Sequence, residues 1–203
     1  MARPHIEFIQ TQAVSWSTLG DDSARPGTEV KLLSHDTDSK AVTVILRYPA
    51  GWSLDQEHHV DSDEELYVLS GTLTINDTLY EEGDYAFLPA GFPRSTMATS
   101  DGADVMTFFE GAHNRVAGTA PDGLYDGRKL VARVQSKSVA WGGANDPKVA
   151  SAGVKYLALS RDPDTGDTTW LLDIDETGMT GEVNRLETHP VVEEVFVVAG
   201  EMH

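Results

Sequence analysis

Cysteine is absent from the 203 residues, so there is no disulfide and no thiolate ligand. Any metal would have to be held by nitrogen and oxygen from His, Asp and Glu. Basic residues are scarce: 15 Lys and Arg stand against 33 Asp and Glu, a formal net charge of −18. That imbalance repels nucleic acid and anionic membranes, and neither is expected as a partner. No apolar run is long enough to span a bilayer, and the opening MARPHIEFIQ lacks a signal peptide's apolar core. A cytoplasmic location is the default expectation. Helical periodicity is also rare.

What is present is a series of short β-branched and aromatic runs between turn signals, as in AVTVILRYPAG, ELYVLSGTLTIND and GDYAFLPAG. This pattern predicts an all-β sandwich or barrel. SGTLTINDTLYEEGDY reads as a hairpin, with Asn76 and Asp77 at the turn and Gly83 with Asp84 opening the next strand. PAGFP, residues 89–93, must be a rigid loop, because its prolines cannot sit in a central strand.

The chain also repeats itself. IQTQAVSW, ending at Trp16, matches VQSKSVAW, ending at Trp141, and KLLSHDTDSKAVTVIL from Lys31 resembles LALSRDPDTGDTTWLL from Leu157. Glu57, His59, Glu64 and Gly71 reappear as Glu187, His189, Glu193 and Gly200, at an offset of 130 that shrinks to 129 after the histidine. Two copies of one unit are therefore expected: residues 1–112, a Gly-rich polar linker over 113–130, and a second unit over 131–203. By alignment His203 corresponds to Thr74, so GDYAFLPAGFP has no second counterpart and the second unit stops in mid-barrel. Three accounts remain open. The chain is a fragment of a longer protein, or the partial unit packs as an extra sheet on the first barrel or on a dimer partner, or a divergent second unit needs no closure.

The stretch DQEHHVDSDEELYVLSG carries the candidate chemistry. Counting strand faces puts Glu57 and His59 on one side and His58 on the other, while a local bulge would exchange His58 for His59. Glu64 opens the alternating run Glu64, Leu66, Val68, so its face is interior, where an unpaired carboxylate wants a metal or an arginine. Tyr85 and Phe87 share a face and read as core wall, and His35 and His113 read as surface residues.

These residues resemble the motifs of the cupin superfamily. Gly51, Glu57, His59, Glu64 and Gly71 reproduce the spacing of its first motif, and Gly83, Pro89 and Gly91 open the second. The resemblance implies an antiparallel jelly-roll barrel, here a bicupin with a second, partial cupin unit. Two departures matter: Glu57 stands where the family has a histidine, and Arg94 replaces the histidine of the second motif. The implied metal set is Glu57, His59 and Glu64, with His58 as the alternative, holding Fe, Mn or Zn. Arg94 either neutralises charge on an anionic substrate as a catalytic residue or pairs with a carboxylate. Glu187, His189 and Glu193 repeat the set in the second unit, which is expected to be inactive without its closing strands.

Three functions follow from the resemblance. The first is an Fe(II) or Mn(II) dioxygenase or isomerase acting on a small polar or anionic molecule. The second is a non-enzymatic module sensing a small molecule or metal, and the third is a metal-free structural or dimerising barrel. A homodimer, formed through an edge strand or the incomplete sheet, is the expected assembly.

Overall fold

In the computed structural model, which describes residues 8–143, 153–175 and 193–200, the β-branched and aromatic runs become strands. The Gly, Pro and Asp clusters between them become turns. In chain order the strands are β1 (Ser17–Thr18), β2 (Glu29–His35), β3 (Val42–Tyr48), β4 (Ser53–Leu54), β5 (His58–Val60), β6 (Glu64–Ile75), β7 (Thr78–Glu81) and β8 (Asp84–Leu88). They continue as β9 (Met97–Ala98), β10 (Ala103–Phe109), β11 (Arg115–Ala117), β12 (Val131–Gln135), β13 (Gly142–Gly143), β14 (Val154–Arg161) and β15 (Thr168–Ile174). The largest sheet runs β1-β2-β3-β10-β6-β8-β12, with β7 and β9 on β6 and β4 on β9. β11 pairs with β5, and β13-β14-β15 form a separate sheet. The fold is the expected all-β antiparallel barrel. Among the described residues no helix is long and apolar enough to cross a membrane.

β6 organises the barrel because it serves two sets of partners. Its first half pairs with β8 and β10, and its last four residues pair with β7. The change comes at Gly71, whose φ is +76° and where a Cβ would lie 2.1 Å from the Gly102 carbonyl oxygen. Only glycine allows that approach. The bend also shifts the alternation: Leu66 and Val68 face the interior before it, Leu73 and Ile75 after it. With Val42, Val44, Leu46 and Tyr48 of β3, Ala86 and Leu88 of β8, and Val105 and Phe109 of β10, they form the barrel core. The hairpin turn falls on Asn76 and Asp77, between the paired Ile75 and Thr78, with Asn76 at φ 52°.

The opposite face of the same sheet is covered as well. Tyr85 and Phe87 point outward and bury themselves with Leu159, against the partly buried Tyr67, Val131, Val134, Leu157 and Leu171. Val131–Gln135, expected to open a second unit, pairs with β8 at the end of the largest sheet.

Two hairpins whose sequences resemble one another, β2-β3 and β14-β15, also share their turn bonding. In β2-β3 the Lys40 N–H donates to the Asp36 carbonyl at 3.0 Å, and the Asp36 N–H donates to the Ala41 carbonyl at 2.9 Å. In β14-β15 the Gly166 N–H donates to the Asp162 carbonyl at 3.0 Å, and the Asp162 N–H donates to the Asp167 carbonyl at 2.8 Å. The carboxylates of Asp36 and Asp162 each accept two further loop N–H groups, an Asx arrangement that fixes both turns. Lys40 and Gly166 both have positive φ, and the register shifts fall at matching places, Leu32/Ser34 and Ala158/Ser160.

Candidate functional site

A carboxylate on the interior face of β6 has to be neutralised, because burying it alone is prohibitive. Glu64 is 1% exposed, and its partners are two arginines. Arg25 Nη2 donates to both carboxylate oxygens at 2.6 Å, and Arg94 Nη2 donates to Oε2 at 2.7 Å. Both guanidiniums are buried. Arg25, from the loop between β1 and β2, also donates through Nη1 to the Ala24 carbonyl and through Nε to the Tyr48 hydroxyl. Arg94 donates through Nη1 to the Phe92 carbonyl at 2.9 Å, and its Nε is buried with no partner.

Burial pushes the Glu64 carboxyl up, but the charges of Arg25 and then Arg94 more than offset it and hold the group below the usual carboxylate range. Burial brings Arg94 down to about 10 despite the attraction of Glu64, so it stays charged at neutral pH. Two guanidiniums against one carboxylate leave this cluster one positive charge in excess.

Two histidines adjoin the cluster and point in opposite directions. His58 and Arg94 form an antiparallel bridge in which each N–H donates to the other's carbonyl at 2.9 Å. In such a pair the side chains leave the sheet on the same face. That face is the interior one, shared with the core residue Val60. His58 Nδ1 lies 2.7 Å from the Gln56 carbonyl oxygen, so Nδ1 carries the proton and Nε2, buried and unpartnered, presents its lone pair. Burial lowers its pKa to about 4; the hydrogen bond to the Gln56 carbonyl opposes the shift, and the charges of Arg25, Arg94 and Arg115 add smaller downward contributions. His59 faces the other way, its Nδ1 3.0 Å from the Gly118 carbonyl oxygen beneath β11.

The expected ligand set does not converge. Glu57 precedes β5, is exposed, and meets Thr119 Oγ1 at 3.4 Å. His59 lies on the outward side of β5, so the strand parity expected from Glu57 is reversed: His58 and Val60 are inside. The reason is that pairing with Arg94 and β11 sets the parity of this three-residue strand, and Glu57 is not part of it. Arg94 takes the pairing option open to it and binds Glu64. Of the residues that repeat the set in sequence, Glu193 is exposed, while Glu187 and His189 lie outside the described residues.

The interior therefore does not fit a bound divalent cation. Its carboxylate is engaged by guanidiniums at both oxygens, and the free imidazole lone pair of His58 stands beside two positive charges. Among the described residues no group of three or more His, Asp or Glu side chains is placed to hold a metal. Arg25, which sequence reasoning missed, has no motif around it. The one hint was that a single Arg94 cannot occupy all the lone pairs of a buried carboxylate.

The sequence profile of the ChrR cupin-like domain family matches residues 5–116, more than half of the chain. No curated protein sequence matches significantly. Among solved structures, a proposed dioxygenase from Nostoc punctiforme PCC 73102 is similar over 82% of this chain, with TM-score 0.69 and 19% identity. The match covers 59% of the Nostoc protein, so this chain spans less than two thirds of its length. An acetylacetone dioxygenase from Acinetobacter johnsonii (TM-score 0.47, 16% identity) matches over 66% of this chain and 87% of its own. The anti-sigma factor ChrR in complex with SigE of Rhodobacter sphaeroides (TM-score 0.39, 20% identity) matches over 49% and 51%.

Proposed function

Because the chain belongs to the ChrR cupin-like domain family, we propose that its barrel is a metal-independent member that binds a small anionic molecule, with Arg25 and Arg94 supplying the positive interior. The observation that carries this reading is the clamp on Glu64. A carboxylate held by two buried guanidiniums has its charge compensated and its lone pairs occupied, so a cation gains little there and meets repulsion. An anion meets the remaining positive charge in surroundings of low dielectric, where a charge-assisted hydrogen bond is strong. Of the three functions open at the start, this is the binding module, in its metal-free form.

The oxygenase reading draws on the name of the Nostoc protein and on the family resemblance, and it needs a metal that this interior disfavours. One experiment separates the two. Untagged protein is assayed for first-row metals by mass spectrometry and melted with and without a chelator. The expected result is no stoichiometric metal and an unchanged Tm. One equivalent of metal, lost in His58→Leu or Glu64→Gln, would overturn the metal-independent reading in favour of the oxygenase.

A further inference from the structure

The neighbouring side chains His58 and Arg94 hold two complementary unpartnered atoms. Arg94 Nε–H is a donor with nothing to donate to, and His58 Nε2 is an acceptor with nothing to accept from. Both residues are 0% exposed. They leave the same sheet face from directly bridged positions, yet they do not bond to each other. An unpaired buried polar atom is costly, and two of opposite sense on bridged residues that leave the same face point to a group that accepts from one and donates to the other. A third unpartnered atom, Thr107 Oγ1, lies on β10 with the interior parity of Val105 and Phe109, opposite Leu66 of β6.

A hydroxyl-bearing group satisfies this pair: its oxygen accepts from Arg94 Nε–H and its proton goes to His58 Nε2. The guanidinium in excess adds a preference for negative charge. We propose that the barrel interior binds a small monoanion carrying its own hydroxyl, of the bicarbonate or 2-hydroxycarboxylate class, between His58 Nε2 and Arg94 Nε. This inference rests on the anion-binding reading above and adds to it the hydroxyl requirement. A plain carboxylate such as acetate satisfies the arginine but leaves His58 Nε2 unpaired, and a neutral alcohol leaves the charge unmatched. Losing one hydrogen bond to a buried acceptor corresponds to about a tenfold loss of affinity.

The test is calorimetric titration of untagged, metal-assayed protein with glycolate, bicarbonate, acetate and chloride at neutral pH, with long-range nitrogen NMR reporting on the histidine rings. The expected result is saturable one-to-one binding of glycolate or bicarbonate, about tenfold tighter than acetate, with a shift confined to the Nε2 resonance of His58. The glycolate and bicarbonate arms separate the two sources of the same chemistry. In His58→Leu the preference for the hydroxyl disappears while acetate binding persists, and in Arg94→Lys, which keeps the charge but removes Nε–H, binding of either falls. Equal affinity for glycolate and acetate overturns the hydroxyl requirement but leaves anion binding standing. Absence of binding by all four anions, or binding unchanged in His58→Leu, overturns the site itself. The metal assay on the same sample fails or holds independently of these outcomes.

Discussion

Glu64 and Glu65 are consecutive on β6, are both buried, and face opposite sides of one sheet. Glu64 looks into the barrel and is met by two full positive charges. Glu65 looks outward into the interface with the flanking hairpin and is met by hydroxyls: Tyr85 and Thr169 both donate to its Oε2, and Tyr85 in turn lies 2.8 Å from Ser160 Oγ. Burial pushes both carboxyls up. At Glu64 the arginines reverse the shift, whereas at Glu65 the Thr169 and Tyr85 hydrogen bonds do not, and the nearby Glu110 and Asp63 add to the upward push. Two buried carboxyls on one strand thus shift in opposite directions. The charge of the partners decides, and hydrogen-bond donors alone do not substitute for it.

The largest effect expected from this contrast is at Glu64. Glu64→Ala leaves two guanidiniums buried without a counter-ion, a loss of roughly 3–5 kcal/mol that brings a domain near its stability limit. Urea unfolding followed by tryptophan fluorescence measures it, and a loss below about 0.5 kcal/mol would erase the contrast, because that is the range of ordinary surface substitutions. Removing one arginine at a time should cost less, on the order of 2–3 kcal/mol, since the other still neutralises the carboxylate. Arg25→Met should exceed Arg94→Met, because Arg25 reaches both oxygens and Tyr48 as well. The double variant should be non-additive, with a coupling of about 0.5–3 kcal/mol.

Much of this arrangement is legible from residue order and some of it is not. Alternation in ELYVLSG places Glu64 inside, and a buried carboxylate in turn demands a metal or an arginine. The hairpin turn at Asn76 and Asp77, the strand opening at Asp84 and the repeated Asp36 and Asp162 turns are local events, set by residues within a few positions of each other. The facing of β5 is not local. Its parity depends on bridging to Arg94 and on β11, so counting outward from Glu57 assigns the wrong histidine to the interior. Arg25 is further out of reach, because its loop meets Glu64 only after the barrel closes, and its neighbours Ala24 and Pro26 carry no spacing that points there. The outward role of Glu65 depends on where β14 and β15 dock, which no pattern within β6 encodes.

At Glu65 the effects are smaller and of a different kind. Tyr85→Phe removes one neutral donor from a carboxylate that keeps Thr169, and about 1–2 kcal/mol should be lost. Tyr85 packs with Phe87 and Leu159, and phenylalanine preserves that contact, so the difference isolates the hydroxyl. Denaturant unfolding at neutral pH measures it, and a neutral outcome would mean that Glu65 finds another donor once Tyr85 is gone.

The smallest effect at neutral pH is expected from Glu65→Gln, and the most direct test of the contrast sets it beside Glu64→Gln and follows the stability of both with pH. The folded-state pKa of Glu64 is depressed, so the folded form binds fewer protons there than the unfolded chain does. Its contribution is present above the unfolded carboxylate value near 4.5 and is lost as pH falls through the depressed folded value. For Glu65 the folded pKa is raised and the sign inverts: its contribution is full below the unfolded value and is lost as pH rises through the raised one. Glu65→Gln should therefore match or exceed the wild type by up to about 1 kcal/mol at neutral pH, because an amide oxygen accepts from Tyr85 and Thr169 without burying a charge. The advantage should shrink as pH falls through the raised folded value and be gone below about 4.5, where the wild-type carboxyl is protonated in both states. Glu64→Gln should do the reverse, with its deficit largest at neutral pH and narrowing only in acid. If both amide variants follow the same pH trend, the partners do not set the two carboxyls apart and burial alone governs them.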